Sequence, residues 1–269
     1  MLKNYISNLL RKLGVIHFID DLRFYKQKIQ NRKQNDLFKQ KHATVKLPPD
    51  YLIYEAFQLR YDSYYYGGKL TAEWILDYCS KYKTLENLKI LDWGCGPARV
   101  IRHIPDLIDS SNEVYGTDYN ALSIEWCKKN LGNIKFSVND INPPLQYKNE
   151  QFDIIYGISI FTHLSEELHY QWIDELYRVL NFGGILLLSM QGDNFRVKLT
   201  DHERESFDNG SLVIRGNVKD GHRVFSAFHP TPFIKKLFKK FTILEHVVRK
   251  PEGMSTIPQD LWIIQKTKK

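Results

Sequence analysis

The sequence predicts an α/β fold in which one doubly wound, mostly parallel sheet of seven strands has helices on both faces. Two observations support this prediction. The chain has 269 residues, 43% of them hydrophobic and 13% aromatic, which is enough to form a sizeable core. Short apolar segments also alternate with amphipathic helical patterns, and strands that are connected through helices pair in parallel.

A helical pattern precedes this alternation and extends from Tyr51 to Tyr82. Gly67 and Gly68 predict a break within it, because glycine disfavours helix interiors. Pro48-Pro49 separates this region from the chain before it. We therefore expect a helical N-terminal cap at residues 47–87, ahead of the sheet.

The strand candidates are short, apolar and separated by helical patterns. In chain order they lie at residues 89–93, 113–117, 133–137, 152–157, 184–190, 241–248 and 261–266. Pro97 predicts a helix start after the first strand, and Asn120 and Ser165 are N-cap candidates for the helices after the second and fourth strands. Leu122 is expected on the buried side of the helix after Asn120. Gly183-Gly184 predicts the end of the helix before the fifth strand.

The connection from Gln191 to Pro230 is longer than loops without secondary structure or function usually are. Residues 211–215 and 223–228 predict the two strands of a hairpin around Asp220-Gly221. We expect an inserted lid at residues 193–227. The sheet domain then covers residues 88–192 and 228–269.

The positive charge of the chain is concentrated near its start. The formal net charge is +7, whereas residues 1–46 alone carry 11 Lys/Arg and 3 Asp/Glu, or +8, which leaves 27 against 28, or −1, for the rest. A domain that reads nucleic acid is expected to carry a basic stripe on its folded body, so a nucleic-acid partner is disfavoured. The sequence therefore predicts a basic helical extension at residues 1–46.

Residues 1–16 of this extension predict a basic amphipathic helix, because Leu2, Ile6, Leu9 and Leu13 recur at helical spacing. Three partners for its apolar face remain open. In order of preference they are the body of the protein or a second copy in a homodimer, then an anionic membrane surface, then nucleic acid.

Location and metal binding are predicted from absences in the sequence. No apolar run approaches the roughly 20 residues of a membrane span. Arg11 and Lys12 interrupt any signal-peptide core, so we expect a cytoplasmic protein, with peripheral attachment at the inner face of the membrane as the alternative. Cys79, Cys95 and Cys127 have neither disulfide nor metal-ligand spacing, so no metal site is expected.

The segment KILDWGCGPAR at residues 89–99 leads from the first strand into a turn with two glycines. The carboxyl ends of parallel strands form the ligand crevice of such a sheet, and Gly94 and Gly96 would let a ligand approach the backbone closely. Asp118 ends the second strand, 26 residues after Asp92, where a carboxylate can accept both hydroxyls of a ribose. The pattern predicts a nucleoside ligand.

Asp92 distinguishes between two classes of nucleoside. A dinucleotide site needs a GxGxxG turn and a helix N-terminus that faces the pyrophosphate, which Asp92 would repel, so a nicotinamide dehydrogenase is disfavoured. An acid at this position favours a ligand with a cationic amino-acid moiety, whose ammonium can also meet the carbonyls of Gly94 and Gly96. S-adenosylmethionine fits this description.

These segments, taken in order, give the sequence a resemblance to the class I S-adenosylmethionine-dependent methyltransferases over about residues 88–190, and more loosely over 230–267. LDWGCGPAR and GTDYN resemble the first two motifs of that family, SVNDI at 137–141 the third, and FDIIYG at 152–157 the motif on the fourth strand. Ala98 stands where a third glycine is common. The resemblance implies a Rossmann-like fold, S-adenosyl-L-methionine as cofactor, and methyl transfer.

The resemblance also implies roles for individual residues. Asp118 would bind the ribose, while Tyr119 and Ile141 would lie against the adenine. Asp140 would lie near the adenine amine, and the backbone at Gly157 would border the methionine part. Capping a turn is the alternative role of Asp140, and ordinary surface exposure that of Tyr119. The expected cofactor-binding set is Asp92, Gly94, Cys95, Gly96, Asp118, Tyr119, Asp140, Ile141, Gly157 and Ile158.

Methyl transfer from a sulfonium is an in-line displacement, which a protein assists by alignment and, for a hydroxyl acceptor, with a general base. His163, in SIFTH after the fourth strand, is the candidate catalytic base, and orienting the loop is its alternative role. His222 and His229 are weaker candidates. An aromatic acceptor pocket and the core are the two alternatives for Tyr64, Tyr65, Tyr66, Phe161, Phe225 and Phe228.

The segment after the fourth strand, YGIS, also bears on the acceptor. It lacks the NPPY or DPPY motif that would resemble the amino-methylating nucleic-acid and glutamine branches. A small-molecule or glycan-type acceptor, methylated on oxygen, is therefore the leading expectation. An RNA methyltransferase and a non-catalytic S-adenosylmethionine-binding scaffold are the alternatives.

Overall fold

The computed structural model describes residues 16–216, 219–250 and 256–268. Leu2, Ile6, Leu9 and Leu13, on which the expected amphipathic helix rests, lie outside this part of the chain. Within the described ranges, no helix is both long and apolar enough to cross a membrane. Contacts divide the described residues into two compact units, one ending at Val138 and one beginning at Asn139.

The two units differ in the elements that they contain. The first has α1 (Ile16–Gln30), α2 (Arg32–Lys41), α3 (Asp50–Ala56), α4 (Tyr61–Ser80), β1 (Lys89–Trp93), β2 (Glu113–Asp118), α5 (Ala121–Asn130) and β3 (Lys135–Val138). The second has β4 (Phe152–Ile158), α6 (Glu166–Val179), β5 (Leu180–Met190), α7 (Asp201–Asp208), β6 (Val213–Arg215), β7 (Ser226–Phe228), α8 (Thr231–Leu237), β8 (Thr242–Val247) and β9 (Asp260–Gln265). Short 3₁₀ helices lie at Ile101–Asp106, Phe161–His163 and Asp193–Lys198.

In the described part of the chain, seven strands form one mostly parallel sheet in the order β3-β2-β1-β4-β5-β9-β8. Pairing is parallel from β1 to β2, from β2 to β3 and from β4 to β5, whereas β9 is antiparallel to β5 and to β8. This is the Rossmann-like arrangement that the alternation of strands and helices predicts. The strand positions of the sequence analysis are confirmed to within a few residues.

The glycine pair of the N-terminal helical region does not break a helix, and this prediction is wrong. Gly67 and Gly68 both lie inside α4. A Cβ on Gly68 would lie 1.9 Å from the carbonyl oxygen of Arg99, so a side chain there would collide with backbone. Gly68 therefore allows α4 to approach the segment after β1 closely, which is a packing role rather than a break.

The helix expected to begin at Pro97 does not form. The backbone has positive φ at Gly96 (52°) and at Ala98 (63°), and this left-handed geometry is incompatible with an α-helix. The chain instead enters the 3₁₀ helix Ile101–Asp106, which contains Pro105. The residues after β1 are thus a compact turn and not the first turn of a long helix.

The helix α5 begins as predicted, with one error on its buried side. The side chain of Asn120 accepts a hydrogen bond from the Ser123 N–H at 3.1 Å, so the N-cap is confirmed. Leu122, expected inside, is 67% exposed. The buried residues are Ser123, Ile124 and Cys127. The side of the helix that packs inward is therefore next to the side that carries Leu122.

The helix α6 ends at Val179, before the glycines that were expected to stop it. Gly183 and Gly184 lie within β5. The Nζ of Lys266, which is 3% exposed, donates to the carbonyl oxygens of Tyr177 at 2.9 Å and Leu180 at 2.8 Å. A buried ammonium thus binds carbonyls at the negative end of this helix, which explains where it ends.

The long connection contains the expected hairpin, in shorter form, together with elements that were not expected. β6 and β7 pair as a separate antiparallel sheet, and α7 precedes them. The Arg215 guanidinium donates to both carboxylate oxygens of Glu203 in α7, at 2.8 and 2.6 Å. Burial alone would raise the Glu203 pKa, but hydrogen bonds from Arg215 and Thr200 outweigh it and lower the pKa to about 2. The role of residues 193–227 as a lid remains a prediction.

Candidate functional site

The turn after β1 is tied to the end of β2 by backbone hydrogen bonds. The N–H groups of Gly94 and Cys95 donate to the carbonyl oxygen of Thr117, at 2.8 and 3.0 Å. Gly94 and Gly96 both have positive φ, which glycine adopts without strain. A Cβ built on Gly96 would meet only the Ala56 Cβ, at 3.9 Å, so the outer side of this turn is open at the backbone.

The carboxylate of Asp118 is fixed beside this turn. One oxygen accepts the Gly96 N–H and the other accepts the Asn120 N–H, each at 2.8 Å. Burial raises the pKa of Asp118 to about 6, against these two hydrogen bonds, which lower it. Each carboxylate oxygen retains a second lone pair, so an oriented acceptor pair is available at the end of β2.

Asp92 and Cys95 belong to the same cluster. Asp92 is 4% exposed and lies one residue before the end of β1. Burial raises the Cys95 pKa well above its ordinary value, and the charges of Asp92 and Asp118 raise it further. Cys95 is therefore a buried neutral thiol in this structure, a state in which it is a poor nucleophile.

The sequence analysis missed one acidic residue near this turn. Glu55, in α3, accepts a hydrogen bond from the Asn120 side-chain amide at 3.1 Å, and its charge helps to raise the Asp118 pKa. It follows Pro48-Pro49 by a few residues, and no motif connects it with β2. Only the folded position of α3 could reveal it.

Tyr119 follows Asp118 and is 45% exposed. Burial of its hydroxyl raises the Tyr119 pKa to about 12, and the charges of Asp118 and Glu55 contribute. The phenol is therefore neutral, and its ring presents a large apolar surface beside the β2 end. Ordinary surface exposure and contact with a ring of a ligand are both compatible with this position.

Asp140 and Ile141 lie just after β3, in the second unit. The Asp140 side chain is exposed, and its carbonyl accepts the Asn139 side-chain amide at 2.7 Å. The carbonyl of Ile141 accepts the indole N–H of Trp172 at 2.9 Å. Trp172 is buried in α6, so the backbone at Ile141 is anchored to that helix.

The end of β4 is held by a closed ring of side chains. Gly157 and Ile158 pair with Leu188 and Ser189 of β5. The next residue, Ser159, has φ of 65°, a strained conformation for a residue other than glycine.

Four hydrogen bonds support that conformation. The Ser159 N–H donates to Ser189 Oγ at 2.8 Å, and Ser189 Oγ donates to Gln259 Oε1 at 2.6 Å. Gln259 Nε2 donates to Ser159 Oγ at 2.7 Å, and this oxygen also lies 2.9 Å from Thr162 Oγ1. These hydrogen bonds hold the backbone at the end of β4 in one conformation. A strained conformation persists only where the surrounding structure fixes it in this way, as happens at functional sites.

His163 lies at the end of the 3₁₀ helix Phe161–His163 and contacts the long connection. Its Nδ1 is 3.0 Å from the carbonyl oxygen of Phe225, so Nδ1–H donates and Nε2 carries the lone pair. The His163 carbonyl accepts the Gly221 N–H at 2.8 Å. Burial lowers the His163 pKa to about 4, and the charges of Arg223 and His222 contribute.

The other candidate side chains from the sequence are differently placed. His229 is 1% exposed, and its Nε2 lies 2.9 Å from Nε2 of His169, so it belongs to a buried histidine pair. His222 accepts the Val224 N–H at 3.3 Å. Tyr64, Phe161, Phe225 and Phe228 are buried core residues, whereas Tyr65 is half-buried and Tyr66 is 43% exposed.

The structure thus brings the expected residues together in two sets. Asp92, Gly94, Cys95, Gly96, Asp118 and Tyr119 surround the turn after β1 in the first unit. Gly157, Ile158 and His163 follow one another at the end of β4 in the second unit. Asp140 and Ile141 lie at the start of that unit, where Trp172 anchors the backbone.

Comparisons with known proteins agree with this fold. Residues 90–184 match a family model described as a methyltransferase domain. An S-adenosylmethionine-dependent methyltransferase from Methanosarcina mazei superposes with a TM-score of 0.53 at 19% identity, over 71% of this chain and 98% of that one. A protein from Pyrococcus horikoshii superposes with a TM-score of 0.54 at 18% identity, over 77% of this chain and 96% of the other.

The family match covers β1 to β5, where the glycine turn, Asp118 and the end of β4 lie. The structural similarities cover a larger share of the chain than the family match does. Residues 90–184 are thus similar to a methyltransferase domain, and the described part of the chain has the Rossmann-like fold of these solved structures.

Proposed function

We propose that the protein is a class I S-adenosylmethionine-dependent methyltransferase, and that its cofactor binds at the residues expected from the sequence, with Asp118 as the central anchor. The observation that carries this proposal is the Asp118 carboxylate, which two backbone N–H groups hold at the end of β2. Both of its oxygens can each accept one further hydrogen bond, which suits the adjacent hydroxyls of a ribose. Tyr119 and Ile141 would lie against the adenine, and Asp140 near its amine.

The chemistry of this turn fits a cationic ligand. Asp92, Asp118 and Glu55 are all acidic, while the Cys95 thiol remains neutral. The open outer side of Gly96 lets a ligand approach the backbone. We assign the ammonium of the cofactor to Asp92 and to the carbonyls of Gly94 and Gly96, and its methionine part to Gly157 and Ile158.

When bound, S-adenosylmethionine supplies an electrophilic methyl group on a positively charged sulfur. The contribution of this chain is alignment, because in-line displacement requires the nucleophile, the methyl carbon and the sulfur to be collinear. The ring of Ser159, Ser189 and Gln259 would serve this purpose by keeping the end of β4 in one conformation.

We further propose that the acceptor is a small molecule or a glycan-type compound, methylated on oxygen, with His163 as the base. Its Nδ1–H donates to Phe225 and leaves Nε2 unprotonated at neutral pH. With a pKa of about 4, the imidazole is a weak base, so it can assist only while the hydroxyl loses its proton in the transition state. The hydrogen bonds from His163 Nδ1–H to the Phe225 carbonyl and from the Gly221 N–H to the His163 carbonyl support a role for residues 193–227 in acceptor binding.

The acceptor is tested by incubating the purified full-length protein with methyl-labelled cofactor and metabolite extracts, followed by mass spectrometry. We expect the label in a low-molecular-weight or glycan fraction, with fragment masses that place the methyl group on an oxygen atom. Label only in RNA would favour the nucleic-acid alternative instead. Tight cofactor binding without transfer to any fraction would indicate a non-catalytic scaffold.

A further inference from the structure

The helix α1 presents an apolar stripe that faces away from the unit to which it is attached. Phe18, Leu22, Tyr25 and Ile29 are 65%, 53%, 61% and 77% exposed. At about 100° per residue, their spacing of four, three and four places all of them within about 60° of the helix circumference. The stripe is about 17 Å long at a rise of about 1.5 Å per residue.

The stripe does not hold α1 in place, because the opposite side of the helix does. The ring of Phe24 lies 5.4 Å from that of Tyr54 in an edge-on contact. The Tyr54 hydroxyl donates to the Asp20 carboxylate at 2.8 Å, and Gln27 accepts the Leu59 N–H at 2.9 Å. The orientation of α1 is therefore fixed by contacts on one side while its apolar stripe stays open.

Basic side chains lie next to the stripe. Within α1, Lys26 follows one flank, and Lys28, which pairs with Asp50 at 3.1 Å, follows the other beside Asp21. Arg32 and Lys33 begin α2, just beyond Ile29. Residues 16–46 carry 8 Lys/Arg against 3 Asp/Glu, or +5, whereas the chain from residue 47 onward carries −1. The two helices account for 7 Lys/Arg against 3 Asp/Glu, or +4, with +1 on α1 and +3 on α2, so the net positive charge of the described residues lies in this region.

We propose that this face of α1, continued by the start of α2, binds the surface of a membrane rich in anionic phospholipids. The four apolar side chains would enter the boundary between headgroups and acyl chains, and the flanking basic side chains would contact lipid phosphates. The proposal does not depend on the assigned cofactor site. It places membrane contact on described residues after the segment 1–16 that the sequence pointed to.

Charge decides among the occupants that an apolar helix face can have. A second copy of this chain would bring α1 and α2, with a net charge of +4, against the same helices with +4, and like charges facing each other are unfavourable. Residues 1–15 are also basic, with Lys3, Arg11 and Lys12 and no acid. An anionic lipid surface is the complementary partner for apolar and basic side chains together.

The test uses the full-length protein and vesicles of phosphatidylcholine, alone or mixed with phosphatidylserine, in a sedimentation assay. We expect binding to the mixed vesicles and little to pure phosphatidylcholine. Binding should weaken as salt is raised, because ions screen exposed charges. Failure to bind the mixed vesicles at low salt would overturn the proposal.

Two double variants and a matched control separate the apolar and basic contributions. Leu22→Gln with Ile29→Gln should weaken vesicle binding by about two orders of magnitude, through loss of inserted apolar surface. Lys26→Gln with Lys33→Gln should weaken it by about fivefold per charge. Leu70 and Val197 are 63% and 75% exposed elsewhere, so Leu70→Gln with Val197→Gln should leave binding unchanged.

Two further outcomes would also contradict the proposal. If the wild type is dimeric by light scattering and the Leu22→Gln and Ile29→Gln double variant is monomeric, a second copy occupies the stripe. If that variant unfolds at a lower temperature and binds vesicles as the wild type does, another part of the chain covers it. Equal loss in the stripe variant and in the control would show that the effect is not specific to α1.

Discussion

The backbone fixes the orientation of the Asp118 carboxylate, which suits it to accept hydrogen bonds from a neutral or cationic ligand. Its two hydrogen bonds come from backbone N–H groups of Gly96 and Asn120, so its orientation depends on the turn and not on a flexible side chain. Its pKa of about 6 reflects burial. The sequence could predict its place at the end of β2, but not the degree of burial, because that depends on elements far along the chain such as α3.

The raised pKa predicts a pH dependence of cofactor affinity. The carboxylate is the form that accepts ribose hydroxyls, and it becomes protonated as the pH falls through about 6. We expect affinity for S-adenosylhomocysteine, measured by calorimetry, to rise between pH 5 and pH 7 in the wild type. In Asp118→Asn it should be about 10 to 100-fold weaker and lose this dependence.

A matched control is available in Asp109, an exposed aspartate that accepts the Ser111 N–H at 2.8 Å. Asp109→Asn removes a carboxylate of similar local geometry away from the turn after β1. It should retain both the affinity and the pH profile of the wild type. A similar loss in both variants would show that the effect arises from general charge rather than from Asp118.

At the scale of single elements, α4 contains a sharp contrast between two adjacent glycines. A Cβ on Gly67 would meet nothing within 4 Å, whereas one on Gly68 would collide with the Arg99 carbonyl oxygen. Gly67→Ala should stabilise the protein by about 0.5 to 1 kcal/mol, because alanine is the better helix former. Gly68→Ala should destabilise it by about 3 kcal/mol or more.

Chemical denaturation measures both changes in the free energy of unfolding. The account of Gly68 as a close-packing residue requires opposite signs for the two variants. Changes of the same sign and similar size would mean that helix propensity alone determines the stability of this region. From the sequence, the two glycines predicted a helix break, because the low helix propensity of glycine can be seen there, whereas the packing of Gly68 against Arg99 cannot.

The ring at the end of β4 predicts a stability cost at Gln259. Gln259→Ala leaves the hydroxyls of Ser159 and Ser189 without this amide, which should reduce the free energy of unfolding by about 1 to 3 kcal/mol. The exposed Gln171, which donates to Glu167 at 2.9 Å, provides the control. Gln171→Ala should change stability by less than about 0.5 kcal/mol in the same thermal unfolding experiment. If the two variants are equally stable, the ring does not constrain the backbone.

Element boundaries show what local sequence can and cannot predict. The seven strands and the Asn120 cap follow from alternation and from side-chain chemistry that acts within a few residues. The absence of a helix at Pro97 and the end of α6 at Val179 do not follow from local sequence. Ala98 takes a left-handed conformation in the turn, and Lys266 reaches α6 from the far end of the chain. Both errors arise because tertiary contacts override local preference.

For the whole molecule, buried histidines predict sensitivity to acid. Burial lowers the pKa values of His103, His163 and His169 to about 4, and that of His229 well below 6.5. Between about pH 6.5 and 4, the unfolded chain therefore binds more protons than the folded one. The free energy of unfolding consequently decreases as the pH is lowered. Asp118 opposes this trend, since its folded pKa of about 6 is raised, but it is one group against four.

Thermal unfolding at a series of pH values tests this expectation. We expect the Tm to be highest near pH 7 and to decrease by at least about 10 °C by pH 4.5. His169→Phe with His229→Phe removes the buried pair and should flatten this decrease. A Tm that is constant from pH 7 to 4.5 would contradict the neutral, buried state of these rings.

The overall architecture and the similarity to a methyltransferase domain could be predicted because they leave periodic and local marks in the sequence. The strand pattern and the segments DWGCG and GTDYN are of this kind. Glu55 and Gln259 could not be predicted, because each reaches its neighbours only through the fold. Acceptor binding is only a proposed role of residues 193–227, where the sequence predicted a hairpin but not the helix α7 beside it.

The central claim is that Asp118 binds the ribose of S-adenosylmethionine beside the open side of Gly96. A crystal structure of the full-length protein with S-adenosylhomocysteine tests it most directly. The account predicts both Asp118 carboxylate oxygens within about 3 Å of the two ribose hydroxyls. A ribose bound elsewhere, with Asp118 still bonded only to the backbone, would contradict it.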